Sequence, residues 1–124
     1  MSADGAPRLG ALESQVMDLL WDHGRSTIRG LIDRLHGEPA YTTIATVLAN
    51  LQRKTLVRTS KVGRSTVYEA RISREEHVAA LMTHALGSSR DRAASILHFA
   101  EGIPDSELAL LRDYLSRRDG SPRG

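Results

Sequence analysis

Apolar residues recur along this chain at two periods, and the switch between them organises it. In "ALESQVMDLLWDHG", Leu12, Val16, Leu19 and Leu20 fall at helical spacing and Gly24 marks a stop. Ser26 or Thr27 can cap a second helix, "TIRGLIDRLHG", whose stripe is Ile28, Leu31, Ile32 and Leu35 and which Gly37 would close. "GEPA" reads as turn. A third helix is expected from about Thr42 to Lys54, with Ile44, Val47, Leu48 and Leu51 facing the core. The period then changes. "LVRTSKVGRSTVYEARI" is rich in Val and Thr around one Gly, and predicts a hairpin turning near Val62–Arg64.

Helical spacing returns in "SREEHVAALMTHAL", where Ser73 and Glu76 have capping-box spacing and Val78, Leu81, Met82, Ala85 and Leu86 form a stripe. "RDRAASILHFAEG" predicts a fifth helix. Pro104 and Asp105 open a sixth, which carries Leu108, Leu111 and Leu115 and ends near Arg118. Residues 1–8 and 119–124 read as flexible tails. The order is three helices, a hairpin as the only sheet, and three more helices. Two short strands are marginal alone, so the hairpin must pack on the helices. The fold class is mainly α with a small β-hairpin, a winged helix-turn-helix over residues 9–72 followed by a helical region over 73–118.

Charge sharpens this picture. Net charge is only +2, but up to position 71 ten basic residues stand against seven acidic, and beyond it seven against eight. From Ala40 to Tyr68 there are five basic residues (Arg53, Lys54, Arg58, Lys61, Arg64) and no carboxylate. On a helical wheel the third helix turns Thr42, Thr46, Ala49 and Arg53 away from its core stripe, flanked by Thr43 and Asn50. Short outward side chains let a helix approach base edges in a major groove, where Thr and Asn hydrogen-bond and Ala touches the thymine methyl. Arg53 and Lys54 would meet phosphate, and the helix N-terminus favours one too. Lys61 and Arg64, near the hairpin tip, suit a neighbouring phosphate or the minor groove. The partner this predicts is double-stranded DNA. The competing reading is a winged-helix protein-interaction module that binds no DNA.

Other chemistries find little support. The chain has no Cys, which removes disulfides, thiolate metal sites and Cys nucleophiles. There is no HExxH, nucleophile elbow or phosphate-cradling Gly-rich loop, so no enzyme and no cofactor is expected. His77 and His84 are seven apart, with His98 on the next helix, and this is not helical metal-ligand spacing. Aromatic content of 4% is too low for a single-strand or RNA stacking platform. Trp21 and Tyr41 are expected as core and helix-entry residues, and Tyr68 as the residue packing the wing onto the body. With no secretory h-region and no span-length apolar run, a cytoplasmic protein is expected.

The segments "LGALESQVMDLLW", "TIRGLIDRL", "YTTIATVLANLQRKTLV", "GRSTVYEARISREEHVAALM" and "SILHFAEG" resemble the penicillinase-repressor family, the BlaI/MecI-type regulators. The likeness runs from about Leu9 to Arg118. It implies a homodimeric transcriptional repressor on a palindromic operator, linked to antibiotic resistance. It also implies a membrane-bound sensor metalloprotease that detects β-lactam, after which the repressor is cleaved in its fifth helix, at the bond between His98 and Phe99. Three positions depart from the family pattern: Thr55 stands for the commoner Gly after the third helix, Ala70 for a Pro after the wing, and His98 for Asn. The copper-responsive branch uses C-terminal cysteines that are absent here.

A dimer also follows from packing. Leu81, Met82, Leu86, Phe99, Leu108, Leu111 and Leu115 are a large apolar load for three short helices, and monomers rarely expose such patches. The helical region is therefore expected to dimerise. A two-fold dimer presents two recognition helices about 10 bp apart, or a small multiple of that, hence a near-palindromic site.

Overall fold

The computed structural model describes residues 9–119. Its elements are α1 (Ala11–His23), α2 (Ile28–Arg34), α3 (Tyr41–Arg53), β1 (Val57–Val62), β2 (Ser65–Ala70), α4 (Arg74–Gly87), α5 (Arg92–Gly102) and α6 (Asp105–Arg118). The predicted order of three helices, hairpin and three helices is the observed one. The tails expected at 1–8 and 119–124 lie outside the described residues, apart from Asp119, which caps α6.

Packing divides the chain into two compact units, one up to His84 and the other from Ala85. The division falls inside α4. The first turns of that helix stay with the winged helix because Arg74 reaches Asp18 at 3.2 Å and Asp22 at 3.0 Å on α1. Arg74 also stands 5.1 Å over the Trp21 ring, and Trp21 donates its indole N–H to the Ile72 carbonyl at 2.9 Å. His77 is buried 5.7 Å from the same ring.

The first unit holds the core. Val16, Met17 and Leu20 of α1, Ile28, Leu31 and Ile32 of α2, and Ile44, Val47, Leu48 and Leu51 of α3 are all buried, with Leu56 and Val57 closing it from the hairpin side. Thr27 caps α2, its hydroxyl accepting from the Gly30 N–H at 3.0 Å. Ser73 and Glu76 make the expected reciprocal cap at 3.0 and 2.8 Å. The second helix ends earlier than Gly37: Leu35 leaves it with extended backbone (φ −94°, ψ 142°) and is itself buried. Core burial, not the glycine, sets that end.

The hairpin is antiparallel, with Val57 opposite Ala70 and Val62 opposite Ser65. Its two-residue loop has φ +64° at Gly63 and no positive φ at Arg64, the pattern of a type II′ turn. Ser26 adds a one-residue bridge to Tyr68, exchanging hydrogen bonds of 3.0 and 2.8 Å, so the sheet reaches back to the entry of α2. Tyr68 is partly buried and packs the wing on the core.

α3 ends in a Schellman motif. The Leu56 N–H bonds the Leu51 carbonyl and the Thr55 N–H the Gln52 carbonyl, both at 2.9 Å. The motif needs a left-handed residue, and Thr55 supplies it with φ +62°. A β-branched residue there costs roughly 1–2 kcal/mol, partly offset by the entropy a glycine would lose on folding. Thr55→Gly should therefore stabilise the protein by about 0.5–1 kcal/mol. The urea midpoint checks this, and an unchanged or lower midpoint contradicts it.

Candidate nucleic-acid interface

Four apolar residues of α3 point inward, which fixes what points outward. Thr42, Thr43, Thr46, Ala49 and Arg53 are exposed and Asn50 is half-buried. Along the helix axis the exposed face runs from small hydroxyl and methyl groups to a guanidinium. Arg53 donates to the Asn50 amide oxygen at 2.8 Å, so these two side chains act as a unit.

Lys54 is placed differently from its neighbours. It is half-buried, and its ammonium lies 2.9 Å from Glu13 of α1. Burial works against ionising Glu13, but hydrogen bonds from the Gly10 N–H and from Lys54, with the charges of Lys54 and Arg53, hold its carboxyl below the ordinary value of 4.5. The stability this pair contributes is complete above that value and is lost only as pH falls below it. Lys54 thus ties the end of α3 to the start of α1. Arg58 is likewise matched, 2.7 Å from Glu69 directly across the hairpin. Two of the five charges in the acid-free stretch therefore meet carboxylates from outside it. Among the described residues no carboxylate pairs with Arg53, Lys61 or Arg64.

Lys61 is exposed on β1 and Arg64 occupies the hairpin loop. The wing tip and the start of α3 share a groove of about 390 Å³ with the start of α2. Tyr41, the first residue of α3, is exposed and lines this groove, with Arg29 5.9 Å over its ring. Arg29 was not singled out by periodicity or by the acid-free stretch. It sits on α2, whose other basic residue is Arg34, and only the fold brings it beside the wing.

The helices that follow the wing have the opposite character. α5 and α6 contain no buried residue among those described. Leu81, Met82, Phe99, Leu111 and Leu115 are exposed, while Leu86 and Leu108 are half-buried. Ile96, Leu97 and Leu110 add to the exposed apolar surface, with Leu97 63% accessible. His98 is exposed and lies 3.6 Å from Glu101. Among the described residues, no group of three or more His, Asp or Glu could hold a metal ion, and no helix is long and apolar enough to cross a membrane.

Known proteins share this architecture. The model of the family described as "Penicillinase repressor" matches residues 9–117. The transcriptional regulator BlaI of Mycobacterium tuberculosis is 38% identical over 115 residues, covering 88% of this chain and 83% of that protein. The solution structure of the DNA binding domain of the repressor BlaI superimposes with a TM-score of 0.51 at 27% identity, over 57% of this chain and 89% of that one. Lactococcus lactis ZitR, solved in complex with DNA, gives a TM-score of 0.50 at 16% identity, covering 91% of this chain and 75% of that one, a likeness of fold. A family match that spans the winged helix and the helices after it settles the kinship: the chain belongs to the penicillinase repressor family of winged-helix transcriptional regulators.

Proposed function

We propose that this chain is a homodimeric, sequence-specific repressor that lays α3 in the major groove of a near-palindromic operator. The observation that carries the reading is the exposed face of Thr42, Thr43, Thr46, Ala49 and Arg53, built from small side chains and one cation, beside a wing whose Lys61 and Arg64 have no carboxylate partner among the described residues. Thr46 and Asn50 read base edges, Arg53 meets phosphate, and the wing meets the adjacent backbone or minor groove. Lys54 serves this surface by fixing the end of α3. The similar structure that is itself a repressor's DNA binding domain supports the same reading.

In this reading residues 9–72 bind DNA and residues 73–118 dimerise, in the cytoplasm. The exposed apolar side chains of α4–α6 support the second role, since an exposed Leu or Phe gains about 1.5–3 kcal/mol when fully buried. A footprint on the DNA upstream of the chain's own gene tests the first. Affinity should fall steeply with salt. Thr46→Ala should change preference at one base pair by about 1–3 kcal/mol. Equal loss on every sequence rejects Thr46 as a reader, and no footprint leaves a protein-interaction module in its place.

Derepression in this proposal follows cleavage between His98 and Phe99 once a membrane sensor metalloprotease has detected β-lactam. Both residues are exposed on the single chain, and the bond lies inside α5, so the helix must open locally before a protease can take it. Cells given a β-lactam should yield a fragment ending at His98 on a blot. Derepression with the chain intact contradicts the cleavage step.

A further inference from the structure

The groove between α2, α3 and the wing has a lining that the recognition helix does not explain. Thr27, Arg29, Tyr41, Arg64, Ser65 and Thr66 bound it, and no carboxylate does. Two guanidinium groups come from elements far apart in sequence, one from the first turn of α2 and one from the hairpin loop. Thr27, Ser65 and Thr66 add hydroxyls to the lining, and Tyr41 adds a phenol. Arg29 is exposed yet does not extend into solvent without a partner, because its guanidinium carbon lies 5.9 Å over the Tyr41 ring, within cation–π range. A polar groove with two permanent cations, several hydroxyls and no acid matches a phosphodiester, whose charge guanidinium forks bind in pairs. Its edge is the first residue of α3, so an anion seated there would flank the reading face.

We propose that this groove seats a backbone phosphate of the duplex, clamped between Arg29 and Arg64, with Tyr41 as the positioning residue that holds Arg29 in place. This rests on the reading of α3 as a DNA-binding helix and extends it to a second, sequence-independent anchor. The anchor fixes the angle at which α3 enters the groove, because α2 and the wing grip one strand from both sides of the helix start.

The test uses the full chain and a random-sequence duplex, with affinity followed by fluorescence anisotropy from about 50 to 200 mM salt. Arg29→Ala should weaken binding and reduce the log–log salt slope by up to about 0.9, the value for one phosphate lost entirely, so that the wild-type advantage shrinks by up to about 3.5-fold across that range. Arg29→Lys should keep the wild-type slope, which excludes misfolding as the cause. Tyr41→Leu should weaken binding in the wild-type background and have no further effect on Arg29→Ala, the coupling expected of a positioning role. If Arg29→Ala binds with wild-type affinity and slope while Arg53→Ala is weakened, the groove is not a phosphate seat and the recognition helix stands without it. If neither substitution changes binding, the DNA-binding reading of α3 falls and the groove falls with it.

Discussion

Ala49→Glu should lose specific DNA binding by about a hundredfold or more while keeping the wild-type fold. Ala49 is exposed in the middle of the outward face of α3, one helical turn from both Thr46 and Arg53. Glu is a strong helix former and the position touches no core residue's stripe, so the urea midpoint should hold. What changes is the field. A carboxylate there would be pressed towards base edges and flanked by phosphates, and a like-charge juxtaposition of this kind costs ~3 kcal/mol or more. Ala49→Gln carries the same bulk without the charge and should lose much less. Equal losses for Glu and Gln would assign the effect to size, and wild-type binding by Ala49→Glu would remove α3 from the interface.

Leu111→Asp should convert the protein to a monomer. The helices α5 and α6 contain no fully buried residue among those described, and Leu111 is 42% accessible in a stripe with Leu108 and Leu115. In a two-fold interface every substitution occurs twice. An unpaired buried charge costs about 3–5 kcal/mol, so two copies weaken association by roughly four to seven orders of magnitude. Sedimentation velocity should show a dimer for the wild type and a monomer for the variant, with helical content unchanged. Operator affinity should fall with it, because one winged helix reads only half a site. A Leu111→Asp protein that remains dimeric places the interface elsewhere, and a monomeric wild type removes the dimer.

Much of the fold could be read from periodicity. The stripes of α2 and α3 are buried as their spacing predicts, Gly63 turns the hairpin, and Ser73 with Glu76 opens α4, because each depends on residues within a turn or two of one another; in α1 Val16 and Leu20 are buried as expected, but Leu12 and Leu19 are only partly buried and Met17, outside the predicted stripe, is fully buried. Features fixed by distant parts of the chain were not legible. Leu35 ends α2 because the core takes its side chain, and Ser26 bridges Tyr68 across 42 positions of sequence. Thr55, by contrast, is a local feature: it adopts the left-handed backbone that suits the Gly commoner at that position in the family. The candidate site shows the same division. The outward face of α3 followed from the wheel, whereas the attachment of Lys54 to Glu13, the hydrogen bond from Arg53 to Asn50 and the approach of Arg29 to Tyr41 needed coordinates. An acid-free stretch of sequence is not an unneutralised surface: carboxylates at positions 13 and 69, both outside it, meet Lys54 and Arg58.

Repression by this chain requires that the small-residue face of α3 and the tip of the wing touch a duplex. An NMR titration of the labelled full chain with DNA from upstream of its own gene measures this directly. The predicted result is a set of shifts concentrated at Thr42–Arg53 and Lys61–Arg64 that weakens as salt rises. Saturable shifts confined to other surfaces, or none at low salt, would contradict it.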